Sequence, residues 1–299
     1  MRKIIPQFSF ITVVGLLILS LTACTDGEKQ NNNDSDTLID VTQITDDNLT
    51  FYLIPSPKDM FAFTKNTDLK FSDAVLNPKT NADKYLDTKT QEIGFGVYSA
   101  DLAYAAAFNQ SNKAAEYIKV VRNLSDEIGI TIFDESLLRR IDNIPESEDS
   151  LMRITNDTYH DIVKFLERNE RETSLALISA GGWIESLYIV INLTGEYREN
   201  DRVIQLIADQ KNIFENLVLF LEQNKDNRDI GELLEDIKPI QKVYESLEVV
   251  KIEKDDKIAN PDNKFIVGGA TRITMTPQQF KDLKEAITIV RNKLTLNHV

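Results

Sequence analysis

Apolar residues recur every three or four positions through most of the chain beyond residue 50, and this spacing predicts amphipathic α-helices. Stripes of this kind lie within 114–128, 137–141, 151–165, 203–221, 230–247 and 280–294. Segment 92–109 predicts a helix rich in small residues, and segment 175–193 is apolar on most faces, which predicts a central buried helix. Thr276 followed by Pro277 marks the start of the last helix, because threonine caps well and proline suits the first helical position.

The same pattern indicates where the helices are interrupted. Pro239 should kink or split the helix that contains it. The segments 247–253 and 265–275 are rich in Val, Ile and Thr, and they predict a small β-hairpin or flap near residues 247–275. The pattern lacks the alternation of strands and helices that an α/β enzyme scaffold needs. We therefore predict an all-α fold, in which residues 51–299 form a single multi-helix domain of packed helical hairpins.

The first residues of the chain have the features of an export signal. Arg2 and Lys3 precede a short apolar stretch, and the motif Leu-Thr-Ala-Cys follows at residues 21–24. This order is typical of a secretion signal rather than of a membrane span. The motif resembles the bacterial lipobox that signal peptidase II recognises. The resemblance implies a lipoprotein signal peptide over residues 1–23, with diacylglycerol and an acyl chain such as palmitate on Cys24. An ordinary signal peptide with a chance cysteine is the alternative.

The implied lipid anchor has consequences for location. Residues 24–50 would be the lipidated cysteine and a flexible tether, because this Asn- and Asp-rich stretch cannot bury enough apolar surface to order itself. Acyl chains hold a protein to a membrane without spanning it. Thr25 replaces the Asp that favours inner-membrane retention, so the expected location is the cell outer membrane. Asp26 and Glu28 loosely resemble acidic export signals, which leaves the periplasmic and the surface face both open.

Composition and charge narrow the function classes. The net charge of −14, with no basic block after residue 3, argues against a nucleic-acid partner. A single cysteine excludes a disulfide framework and a multi-cysteine metal site. Asp157 and His160 lie one helical turn apart, as in di-iron bundles, but the second such pair is missing, so we predict no metal and no cofactor. The expected partners are the membrane, through the lipid anchor, and an unidentified envelope protein or small ligand.

Two resemblances concern the helical part. The run from Gly96 to Tyr104, with Ile-Pro-Ser-Pro at 54–57, resembles uncharacterised helical lipoproteins of gram-negative envelopes. That resemblance implies a location and a fold, but no activity. Within the chain, residues 101–104 and 185–188 lie 84 positions apart in similar surroundings, and a pair of glycines lies near the expected start of each helix. Duplicated helical hairpins would produce this similarity, although any two buried helices share such features.

Two acidic residues are the main candidates for chemistry. Asp101 and Glu185 each interrupt an apolar helix, where an unpaired charge is costly. If they face each other, their pKa values separate and they can act as acid and base. If each pairs with an arginine or a tyrosine hydroxyl, their role is structural, which is the interpretation we prefer. The candidate ligand or buried polar site comprises Asp101, Glu185, Tyr98, Tyr104, Trp183 and Tyr188.

Trp183 has two interpretations of its own. It either stacks on a ligand or belongs to the core, and the core is the preferred interpretation. The glycines before it, Gly181 and Gly182, mark either a helix start or a close contact between helices.

Two functional hypotheses follow, and neither assigns a catalytic residue. The first is a lipid-anchored envelope protein that acts as a non-catalytic binding or scaffold module. The second is an envelope hydrolase or solute-binding lipoprotein with a cleft around Asp101 and Glu185. Glu185-Ser186 resembles the start of lytic transglycosylase sites, but the Gly-rich segment of those sites is replaced here by apolar residues. A pocket containing both carboxylates would favour the second hypothesis, and a closed interior with each acid paired would favour the first.

Overall fold

Helices account for most of the residues that the computed structural model describes, which are 60–61, 67, 69–133, 148–251 and 271–296. All of these belong to one unit of the chain, Ile44–Val299. The predictions for the signal peptide, the lipobox, the tether and the helix at 137–141 lie outside the described residues.

The order of elements follows the apolar pattern of the sequence. Two short 3₁₀ helices, Asp73–Val75 and Lys79–Lys84, come first. The α-helices of the described part are α1 (Thr88–Ala107), α2 (Ser111–Glu127), α3 (Glu148–Arg168), α4 (Glu172–Thr194), α5 (Arg202–Gln223), α6 (Arg228–Glu245) and α7 (Pro277–Leu296). Strands β1 (Glu248–Lys251) and β2 (Thr271–Thr274) lie between α6 and α7. The predicted all-α fold with a small β-hairpin is confirmed.

The two strands pair antiparallel, with Glu248 opposite Thr274 and Lys251 opposite Thr271. Ile273 is buried, and its carbonyl oxygen accepts a hydrogen bond of 3.0 Å from the side chain of Gln205 on α5. Because strands this short gain little from pairing alone, their contact with α5 ties the hairpin to the helical body.

Side-chain caps explain where several helices begin. At α1, the Asp87 carboxylate accepts from the Thr90 N–H at 3.0 Å, and the Thr90 hydroxyl oxygen accepts from the Asp87 N–H. At α7, the Thr276 hydroxyl oxygen accepts from the Gln279 N–H at 3.2 Å, and the Gln279 amide oxygen accepts from the Thr276 N–H at 2.8 Å. These reciprocal bonds satisfy backbone donors that a helix start leaves open. The predicted start of the last helix is therefore confirmed.

Pro239 does not split its helix, contrary to one of the two predicted outcomes. Helix α6 runs from Arg228 to Glu245 with Pro239 inside it. Both Pro239 and Glu235, whose carbonyl oxygen loses its helical donor, are exposed. Water can bind that carbonyl oxygen, so the missing hydrogen bond costs less than it would in a buried turn.

Helices α1 and α4 form the centre of the fold and run parallel to each other. Glu92 and Arg171 form an ion pair of 3.0 Å near the start of both helices, and Gly96 lies against Gly182 further along both. A Cβ atom on Gly96 would lie 2.0 Å from the Ile178 carbonyl oxygen, so the backbones approach closely there. The glycines therefore lie inside the helices, at their contact. For Gly181 and Gly182 this confirms close contact between helices, one of the two predicted alternatives. The expectation that glycines mark the helix starts is wrong, because close approach and not capping requires them.

The remaining helices surround this pair. Helix α2 packs against α1 and α5 against α4, which gives two helical hairpins, and α7 covers α4 and α6. Helix α4 is long and apolar enough to cross a membrane by length and composition, but 89% of its most apolar window is buried in the fold. That burial identifies α4 as a core helix, as predicted for the segment 175–193.

Candidate functional site

Glu185 lies in a closed ion pair in the interior. Its two carboxylate oxygens accept hydrogen bonds of 2.8 and 2.9 Å from the guanidinium group of Arg291 on α7. The Glu185 side chain is 0% exposed and that of Arg291 is 7% exposed. The guanidinium carbon also lies 4.6 Å from the centre of the Tyr188 ring, a cation–π contact. The bidentate geometry and the ring together satisfy a charge that water cannot reach.

Asp101 is equally buried but has no arginine of its own. Its carboxylate accepts the backbone N–H of Asn77 at 3.3 and 3.4 Å. Asn77 makes further hydrogen bonds. Its side-chain amide N–H donates to the Tyr85 hydroxyl at 3.1 Å, and its backbone carbonyl oxygen accepts from the Tyr117 hydroxyl at 2.8 Å. The Asn77 side-chain oxygen accepts from Asn81 at 2.8 Å. Asp101 thus fixes a buried loop to the centre of α1.

Asn77 and Pro78 directly precede a helix, but the Asn77 side chain does not cap it. The helix that follows is 3₁₀, its N-cap is Pro78, and no side chain caps it. The amide of Asn77 is instead used in the buried network. The reason is the burial of Asn77, whose side-chain groups must find partners inside the fold.

The charges of this region do not balance when both acids are ionised. Burial raises the pKa of Asp101 well above its usual range, and the negative charge of Glu185 raises it further. Burial also raises the pKa of Glu185, while the hydrogen bonds and charge of Arg291 lower it. Burial lowers the pKa of Arg291, but Glu185 and Asp101 raise it by more, so the guanidinium stays protonated. Arg291 is therefore the cation that two carboxyl groups share, and the raised pKa of Asp101 favours the protonated form of that acid.

Two of the three predicted tyrosines, Tyr98 and Tyr104, do not bind these carboxylates. The Tyr98 hydroxyl donates to the Pro78 carbonyl at 2.8 Å. The Tyr104 hydroxyl accepts from the Ser72 N–H at 2.8 Å, and its ring stacks on Phe71. Burial raises the pKa of Tyr104 to about 12. Both tyrosines hold the segment before α1 in place rather than serve a shared site.

Trp183 packs against α5 rather than against these carboxylates. Its indole N–H donates to the Gln210 amide oxygen at 3.1 Å, and its ring stacks on Phe214 with centroids 4.9 Å apart. Of the six predicted site residues, the structure places Glu185 and Tyr188 together on Arg291 and sets Trp183 against α5.

Three residues that hold the two acids and the Asn77 loop in place were not identified from the sequence: Asn77, Tyr117 and Arg291. Arg291 left a signal, since it lies four residues after Ile287 and three before Leu294 on the apolar stripe of the last helix. A lone cation on a buried stripe indicates a buried acid elsewhere. The sequence gives no such signal for Asn77 and Tyr117, because their roles depend on a loop that folds against α1.

A separate cavity of about 80 Å³ lies among α1, α2, α3 and α4. Neither Asp101 nor Glu185 lines it. Trp183 contributes to its wall, together with Gly96, Gly182 and side chains such as Ile154 and Ile178. Among the described residues, no three His, Cys, Asp or Glu side chains are grouped so that they could hold a metal ion.

Comparison with known proteins adds no assignment. A scan against protein-family models, a search of curated proteins and a search of solved structures found no match to this chain.

Proposed function

We propose that the protein is a lipid-anchored envelope protein whose helical domain is a non-catalytic binding module. The lipobox at residues 21–24 supports the anchor and the envelope location. The full burial of Asp101 and Glu185, each with a polar partner, is the observation that supports the non-catalytic role. A general acid or base must reach its substrate, and these two carboxyl groups are closed off from solvent.

The anchor is tested by labelling. The full chain, expressed in a gram-negative host, is grown with an alkyne-bearing palmitate, and labelling of the wild type is compared with that of Cys24→Ser. We expect a labelled, cleaved protein in the outer-membrane fraction, and an unlabelled precursor for the variant. Equal labelling of the two proteins contradicts the anchor.

The binding role is tested separately. The tagged full chain is cross-linked in intact cells and purified, and its co-purifying molecules are compared with those of residues 1–50 fused to an unrelated domain. We expect a molecule that depends on the helical domain. Identical sets of molecules for the two proteins argue against a binding module.

A further inference from the structure

We propose that loss of a proton from Asp101 releases residues 72–85, a segment that we call the strap, from helix α1. The strap contains both 3₁₀ helices. Its Ser72 N–H donates to the Tyr104 hydroxyl at 2.8 Å, and its Asn77 N–H donates to the Asp101 carboxylate. The release needs only water and protons, so it goes beyond the binding role proposed above and does not depend on it.

The surroundings of Asp101 suit a neutral carboxyl group better than an ionised one. The side chain is fully buried, and the Asn77 N–H is shared between its two oxygens at 3.3 and 3.4 Å. Both distances are longer than the usual N–H···O range of about 2.7–3.2 Å. The Arg291 guanidinium bonds both oxygens of Glu185 instead. An ionised Asp101 is therefore a buried charge with one weak hydrogen bond and a cation already paired elsewhere, which is costly.

Other titratable groups face Asp101 from every side. They are Glu185 on α4, Arg291 on α7, Tyr98 and Tyr104 on α1, Tyr117 on α2, and Tyr85 in the strap. Burial raises the pKa of each of these tyrosines, to about 12 for Tyr85 and Tyr104, so all four stay neutral near pH 7. Glu185 is the acid that the guanidinium bonds directly. Asp101 is thus the group here whose charge changes as the pH rises.

Opening of the strap couples to that change because it lets water reach the Asp101 carboxylate. In the closed state, burial and the charge of Glu185 raise the pKa of Asp101. In the open state, the pKa approaches the ordinary aspartate value of about 4. Below about pH 4 both states are protonated, and pH has no effect on opening. Between the two pKa values, the equilibrium constant for opening rises about tenfold per pH unit.

Hydrogen–deuterium exchange of the full chain in detergent micelles tests the proposal. Exchange of peptides from the strap is measured by mass spectrometry at pH 5, 6.5 and 8 and corrected for the intrinsic pH dependence of amide exchange. Peptides from α6 report on global unfolding. In the wild type, the strap should be less protected than α6 at each pH, and its opening constant should rise by about tenfold or more over this range.

Two variants separate the titration of Asp101 from a general loosening of the strap. In Asp101→Asn, which cannot titrate, the opening constant of the strap should not change with pH. Tyr117→Phe removes a different hydrogen bond to the strap, the one of 2.8 Å to the Asn77 carbonyl, and leaves Asp101 in place. It should raise the opening constant by the same factor at each pH.

Three results would overturn the proposal. The first is a strap whose corrected exchange in the wild type does not depend on pH. The second is a pH dependence that Asp101→Asn retains in full. The third is exchange of the strap only together with α6, because that would mean global unfolding and not a local release.

Discussion

The Nε atom of Arg291 lies 2.8 Å from a carboxylate oxygen of Glu185, 106 residues away in the sequence, and this pair joins the last helix to the central one. Both side chains are buried. Asp101 is a second acid near this pair, and it shares the positive charge of Arg291 with Glu185. The two carboxyl groups, which the sequence presents as equivalents, therefore have different roles: Glu185 is a counter-ion, and Asp101 is a buried hydrogen-bond acceptor that favours its neutral form.

Replacing Glu185 by glutamine should destabilise the protein strongly. The variant keeps the shape of the side chain but leaves the Arg291 guanidinium without its ionised partner. Removing one member of a buried ion pair costs about 3–5 kcal/mol, and the retained amide oxygen places the cost near the lower end. Chemical denaturation of the full chain measures it, and Glu199→Gln on the exposed surface is the control. A variant as stable as the wild type would show that Arg291 does not depend on Glu185.

Replacing Asp101 by asparagine should stabilise the protein relative to the wild type, and this gain should increase with pH. The raised pKa of Asp101 means that the folded protein holds a proton which the unfolded chain releases. The free energy of unfolding of the wild type therefore falls as pH rises from about 4, the ordinary aspartate value, through the folded-state pKa. Asparagine cannot titrate, and its side-chain oxygen can still accept the Asn77 N–H.

Thermal midpoints at pH 5 and pH 8 test this prediction. The midpoint of Asp101→Asn, relative to that of the wild type, should be higher at pH 8 than at pH 5. Asp226→Asn, at an exposed position, is the control and should show no such change. A variant that loses more stability at pH 8 than at pH 5 would mean that the folded state needs the ionised Asp101.

The loop at Asn77 gives a third prediction. Tyr117→Phe removes the hydroxyl that donates to the buried Asn77 carbonyl at 2.8 Å. An unsatisfied buried acceptor costs about 1–3 kcal/mol, so the urea midpoint should fall while the dependence on urea stays the same. An unchanged midpoint would indicate that water or another donor reaches this carbonyl.

The sequence predicted most of the helices and the burial of both acids, but not what holds the acids. Helical periodicity is a local property, so the stripes located α2, α5 and α7 correctly. An acid within an apolar helix can likewise be recognised locally. The partners of Asp101 and Glu185 lie 24 and 106 residues away, and only the packing of α1, α4 and α7 determines them.

The same limit applies to the glycines. Gly96 and Gly182 were visible in the sequence, but their local context does not distinguish a helix start from a contact between two backbones. The apolar cavity was also beyond prediction, because its walls come from four helices. Tertiary packing, rather than any local propensity, decides each of these features.

The α1–α4 contact yields a last prediction, in which two glycines on the same contact respond differently to alanine. A Cβ atom on Gly96 would lie 2.0 Å from the Ile178 carbonyl oxygen, a backbone atom that cannot move without shifting α4. Overpacking of this kind costs about 1–3 kcal/mol or more, so Gly96→Ala should be clearly destabilised. On Gly182 the nearest atom to the added Cβ, the Gly96 carbonyl oxygen, is at 3.4 Å, which is ordinary contact. Alanine also favours a helix over glycine by about 1 kcal/mol, so Gly182→Ala should keep or gain stability. Urea denaturation of the two variants, side by side, measures the difference, and equal losses of stability would contradict the asymmetric contact between α1 and α4.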